Sequence, residues 1–178
     1  MTATDQDLRM RDGIELAGDL ERVGRLSAEA LRGWPQHTTE ALYTCGRTGP
    51  HRHTFTGPLL HDVLAAARPG FDPARRKERA RYLIRVRGAD GHLALLTWAE
   101  IDPEFAAAPV LLAVALDGAP LGGEGPQLVV PQDRCGTRYI RRVVSVRVCD
   151  ARADGDLRPD GDLRPDGDGR ADASGAAG

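Results

Sequence analysis

Cys45, His51 and His53 lie within nine residues of one another. Thiols and imidazoles are the side chains that ligate metals, attack electrophiles and move protons near neutral pH. If His51 and His53 occupy a strand, its period of two puts both on one face. One thiolate and two imidazoles could hold zinc, but no second close ligand pair accompanies them, and a structural zinc site wants four ligands. Read alone, Cys45 suits a buried, inert thiol as well as a soft metal donor. Read alone, His51 and His53 suit ordinary polar hairpin positions better than a site. Arg138 and Arg141 form a second group. Their planar guanidinium forks match phosphate, yet they also fit the exposed face of a strand that alternates with Ile140. Cys135, in a charged loop, and Cys149, at a strand end, read as bystanders. His61 and His92 read as structural.

Periodicity and turn residues define the strands and helices that carry these groups. Thr38 to Cys45 alternates as a strand, Gly46 to Pro50 breaks it, and His51 to Thr56 returns. Gly57-Pro58 then turns the chain into a helix over Leu59 to Ala67, with Leu60, Val63, Leu64 and Ala67 on one face. Gly57 is expected to need a turn conformation there. Ser27 is a plausible N-cap for a short helix ending near Leu31. Tyr82 to Arg87 and His92 to Thr97 make a hairpin around Ala89-Asp90-Gly91. Trp98 to Phe105 suits a helical turn, and Val110 to Leu116 and Leu128 to Pro131 suit strands. Tyr139 to Val148 alternates as one half-buried strand, with Ile140, Val144, Val146 and Val148 inward and Arg141, Ser145 and Arg147 outward. Strands outnumber helices and strict β-α-β alternation is missing, so the fold class is α+β.

Composition narrows the function classes. The chain has 178 residues, 41% hydrophobic and 28% charged, which suits a single globular domain. Net charge is -2 and aromatics are 4%, which argues against a nucleic-acid partner. No run reaches the length of a membrane span. The N-terminus lacks the apolar stretch of a secretory signal, so the expected setting is cytoplasmic. Three cysteines do not make a disulfide framework. The basic run Arg75, Arg76, Lys77, Arg79 and Arg81 reads as a solvated helix end or loop rather than an anion site. Residues 1–13 read as an N-terminal extension, 14–149 as the domain, and 150–178 as a disordered tail. The tail repeats Gly155-Asp156-Leu157-Arg158-Pro159-Asp160 as Gly161-Asp162-Leu163-Arg164-Pro165-Asp166 and is too poor in apolar residues to form a core.

Four segments, in order, resemble the molybdopterin-binding domain of the sulfite oxidase family over about Ile14 to Val148. They are Gly18-Asp19-Leu20 with Leu26-Ser27 to Leu31; Thr44-Cys45 with Phe55-Thr56-Gly57-Pro58-Leu59-Leu60-His61-Asp62-Val63-Leu64; Asp90-Gly91 with Asp117-Gly118-Ala119-Pro120-Leu121; and Gly125-Pro126-Gln127-Leu128-Val129-Val130-Pro131 with Gly136-Thr137-Arg138-Tyr139-Ile140-Arg141. Cys45 precedes Gly57 by twelve residues, a spacing similar to the branch related to methionine-sulfoxide reductase catalytic subunits. The chain departs from the family at Gln127, where an arginine is usual, and at His92 after Asp90-Gly91, where a tyrosine is common.

The resemblance implies a sulfite-oxidase-like molybdopterin-binding domain with mixed β-sheets and short helices. It implies a molybdenum-molybdopterin cofactor, with Cys45 as the metal's protein ligand and catalytic residue. Arg138 and Arg141 would hold the cofactor's phosphate, and His51 and His53 would line the pocket mouth. It further implies a small-molecule substrate and a redox partner protein. The alternative is a cofactor-free module that keeps the fold and binds a small ligand or a protein, since fold does not dictate function.

Overall fold

Turn chemistry and alternation place most strands. The computed structural model describes residues 13–46 and 48–153, the side chain of Cys45 excepted. A five-stranded sheet, in order β2-β1-β11-β5-β6, carries β1 (Ile14–Gly18), β2 (Gly24–Leu26), β5 (Tyr82–Gly88), β6 (Leu93–Thr97) and β11 (Val143–Asp150). Only β1 and β11 pair parallel in it. A four-stranded sheet, β3-β4-β8-β9, is built from β3 (His37–Cys45), β4 (Gly49–Gly57), β8 (Ala115–Leu116) and β9 (Ala119–Pro120). A third sheet pairs β7 (Leu111–Ala113) with β10 (Gln127–Val129). The helices are short: α1 (Ala28–Arg32), α2 (Leu60–Ala66), α3 (Arg76–Arg79) and α4 (Trp98–Ile101). This is the α+β class, with several sheets and few helices. No helix among the described residues is long and apolar enough to cross a membrane.

Local signals explain the helix ends. The Ala30 N–H donates to Ser27 Oγ at 3.0 Å, which caps α1. Thr97 and Glu100 form a capping box on α4. The main core joins one face of the large sheet (Ile14, Ile84, Val86, Leu96, Val146, Val148) to α2 through Leu60, Val63 and Leu64. Leaving any of these large side chains exposed would forfeit roughly 1.5–3 kcal/mol. A smaller cluster of Ala41, Phe55, Leu111, Ala113 and Val129 lies under the β3-β4 hairpin.

Three expectations from sequence change. The run Val110 to Leu116 is two strands in two sheets, because Val114 leaves the β7 ladder and its N–H donates to Thr56 O at 2.8 Å. The last strand starts at Val143, not Tyr139. Arg142 has φ 48°, and a bulge between Val143 and Ser145 shifts the alternation. Ile140, Val143, Val146 and Val148 are therefore buried, while Val144 is only half-buried. In the basic run, Arg79 is not solvated. It is 7% exposed and bonds Asp102 at 2.7 Å, and it also pairs with Glu104.

Gly57 does hold a constrained place, but for a different reason than a turn conformation. Its φ lies outside the left-handed region, and a Cβ there would stand 2.3 Å from Leu112 O and 2.6 Å from Ala113 Cα. The glycine lets β4 pass against β7. Gly57→Ala is expected to destabilise the fold by about 1–3 kcal/mol through overpacking. Urea unfolding checks this, and an unchanged midpoint would remove the close-approach argument.

The expected disordered tail falls almost wholly outside the described residues. β11 runs to Asp150, the Ala151 N–H donates to Arg81 O at 3.2 Å, and Arg81 pairs with Asp150 at 2.7 Å. The cut that spares this edge comes after Ala153. Removing 154–178 is expected to leave the melting temperature within roughly 2 °C. Loss of a cooperative thermal transition in the shortened chain would contradict that.

Candidate functional site

The β3-β4 hairpin carries aromatic and imidazole groups at period two: Tyr43 on β3, and His51, His53 and Phe55 on β4. Alternation puts them on one face. Tyr43 stacks on His51 with ring centroids 5.3 Å apart and on Tyr139 at 4.4 Å. His53 meets Phe55 edge-on at 6.1 Å. Tyr139 arrives from the loop between β10 and β11, so the row joins two sequence-distant segments.

This row walls a cavity of about 590 Å³, within the usual range for small-molecule sites. Leu116, Leu121 and Glu124 contribute from the β8-β9 side, and Gln127 from β10. Cys135, Gly136, Thr137 and Arg141 contribute from the loop. The loop is fastened to β3, since the Thr44 N–H donates to Arg134 O at 2.9 Å and Thr44 bridges to Cys135. Gly136 passes so close that an added Cβ would lie 2.7 Å from the Tyr43 ring. Cys45 ends β3, in register with Gly49, between cavity-lining Thr44 and Gly46.

Asp117 and Gly118 have φ 49° and 80°, the left-handed pair that a two-residue hairpin needs. The Asp117 carboxylate accepts from Thr54 N at 2.8 Å and from His53 Nδ1 at 2.8 Å. These bonds, the Thr54 one first, hold its carboxyl below the usual carboxylate range. A carboxylate cannot donate, so His53 carries its proton on Nδ1 in this pair. His51 Nε2 bonds Thr48 Oγ1. Burial pushes the Tyr139 hydroxyl up to about 12, so it stays protonated. Its oxygen is buried with no hydrogen-bond partner among the described residues, an unmet need that costs roughly 1–3 kcal/mol.

The expected site residues are partly gathered. His51, His53 and Arg141 line the cavity, and the backbone of Cys45 is at its edge. Arg138 stands elsewhere. Its guanidinium makes a two-pronged pair with Asp133, at 2.7 Å to each oxygen, and reaches Glu100 at 2.9 Å. The Asp133 bond, above all, raises its pKa further. It pins the loop to α4 rather than facing the cavity beside Arg141. Cys135, which sequence alone makes a bystander, lines the cavity, with its sulfur 2.7 Å from Thr137 Oγ1. Tyr43 and Tyr139 are further wall residues that the spacing of the cysteine and histidines does not point to. The period-two run on β4 is the signal that could have found the wall. Among the described residues no group of three or more His, Cys, Asp or Glu is arranged to hold a metal by itself.

No family model matches the chain, and no curated protein matches it. Among solved structures, sulfane dehydrogenase SoxCD from Paracoccus pantotrophus is similar, with a TM-score of 0.63 and 21% identity. The match covers 84% of this chain and 40% of that one, so the chain spans well under half the length of this neighbour. The likeness is one of fold, and it agrees with the sulfite-oxidase-like α+β architecture expected from the four segments.

Proposed function

We propose that the cavity beside β3 and β4 binds a molybdopterin cofactor and serves oxygen-atom or electron transfer with a small-molecule substrate and a redox partner protein. The observation that carries this is convergence. One cavity of about 590 Å³ gathers the strand end at Cys45 with His51, His53, Tyr139 and Arg141.

The residues present fit such a group. The stacked Tyr43 and Tyr139 rings offer a wall to a flat heterocycle. The partnerless Tyr139 hydroxyl is a donor that a bound ligand would satisfy. Cys45 is a soft donor of the kind a metal already held by a ligand's own sulfurs would accept, and it must bind as the thiolate. Arg141 is a cation for phosphate. When bound, the group would supply the redox chemistry.

The chain's part is positioning and proton handling. With Nδ1 fixed on Asp117, His53 has Nε2 to take up or release a proton. Tyr43 and Phe55 present ring surface beside it. Arg138 acts through the loop, holding residues 133–138 against α4.

One observation favours the cofactor-free binding module instead. With Arg138 committed to Asp133 and Glu100, Arg141 faces the cavity in the company of Glu124, a weak cradle for a dianion. Molybdenum and pterin content of protein made in a host that synthesises the cofactor separates the two readings.

A further inference from the structure

A second concavity, of about 620 Å³, lies on another face, around α3. It is edged by five cations, Arg75, Arg76, Lys77, Arg81 and Arg152, and by two carboxylates, Glu78 and Glu104. Part of this charge is answered locally. Arg75 lies 3.4 Å from Asp72, Arg76 is 3.6 Å from Glu104, and Arg81 is held by Asp150 at 2.7 Å and Glu78 at 3.4 Å. Lys77 and Arg152 are exposed and make no salt bridge among the described residues. The groove therefore keeps a cationic excess, carried by Lys77 and Arg152.

The described residues end at Ala153, one residue after Arg152, which edges this groove. The C-terminal segment beyond it is acidic. Residues 154–178 hold seven aspartates against three arginines, and Asp-Gly-Asp occurs at 154–156, 160–162 and 166–168. We propose that this acidic segment docks in the basic groove of its own domain, its Asp-Gly-Asp units paired with Lys77, Arg76 and Arg152. Single exposed ion pairs are weak. Tethering at the groove's edge makes every encounter intramolecular, with a high effective concentration that no free acidic partner matches. Docking of this kind is electrostatic and must fade with salt. It occupies a face distinct from the candidate cofactor cavity, and it does not depend on that cavity's function.

Lys77 is the only lysine in the sequence, which makes the test specific. The full-length protein is treated at low ionic strength with a water-soluble carbodiimide, which joins an amine to a carboxylate in direct contact. The linked peptides are then mapped by mass. Links within one chain from Lys77 to Asp160, Asp162, Asp166 or Asp168 are expected. They should drop at least about fivefold in roughly 0.5 M sodium chloride and in the double variant Arg76→Glu with Arg152→Glu, which should melt as the parent does. Links confined to Glu78, Glu104, Asp154 or Asp156 overturn the proposal, as do distant links that ignore salt and charge reversal. A product with the mass of two chains also overturns it, and assigns the groove to the acidic segment of a second copy.

Discussion

Asp102→Ala is expected to lower the melting temperature by roughly 10 °C. Asp102 is 2% exposed, and its Oδ2 accepts from Arg79 Nη1 at 2.7 Å and from Trp98 Nε1 at 2.8 Å. Its other oxygen accepts from the Glu104 N–H at 2.9 Å. Removing it takes the acceptor from a buried guanidinium whose Nε has no partner among the described residues, and from an indole donor and a turn amide. Breaking a buried ion pair from one side costs about 3–5 kcal/mol when the remaining charge is left uncompensated; Glu104 still pairs with Arg79, which puts this loss at the low end of that range. Glu104 is the internal comparison. It also pairs with Arg79, but its side chain is half exposed, so Glu104→Ala should cost about 1 kcal/mol or less. Equal melting of the two variants would show that water reaches Arg79 and that the pair is a surface feature.

The Arg79–Asp102 pair also marks where the sequence could be read and where it could not. Elements whose cause is local were legible. Ser27 caps α1, Asp90-Gly91 joins β5 to β6, and the apolar face of α2 is the one the 3.6 period implies. Features that depend on distant partners were not. Nothing near Arg79 distinguishes it from Arg76 until Asp102, 23 residues on, comes to meet it. Arg138 looks like Arg141 until Glu100, 38 residues away, claims it. The break at Val114 comes from the backbone of β4, and the phase error in β11 comes from one residue at positive φ and one bulge. The candidate cavity was half legible. His51 and His53 share a face as period two demands, whereas Tyr139 and Cys135 enter through a bridge between Thr44 and Cys135 that no spacing announces.

The cavity's chemistry has the second large expected effect. Cys45→Ser replaces a soft, acidic sulfur with a harder and far less acidic oxygen. The variant should keep its fold and its pterin and lose turnover. Arg141→Ala removes the cavity's cation, and a charge-assisted hydrogen bond is worth about 1.5–3 kcal/mol. Cofactor occupancy should therefore fall by roughly tenfold or more, while melting of the cofactor-free protein stays nearly unchanged. Arg138→Ala should separate from Arg141→Ala. Its guanidinium bonds Asp133 and Glu100, so its loss loosens the loop and lowers stability before it lowers occupancy.

These comparisons all rest on whether the cavity takes the cofactor, and the direct measurement is molybdenum and pterin per chain in wild-type protein purified from a host that supplies both. Both are expected near one per chain, with pterin reduced in Arg141→Ala and retained in Cys45→Ser. Wild-type protein that carries neither, although folded and made where both are abundant, would contradict that and leave the cavity to another ligand.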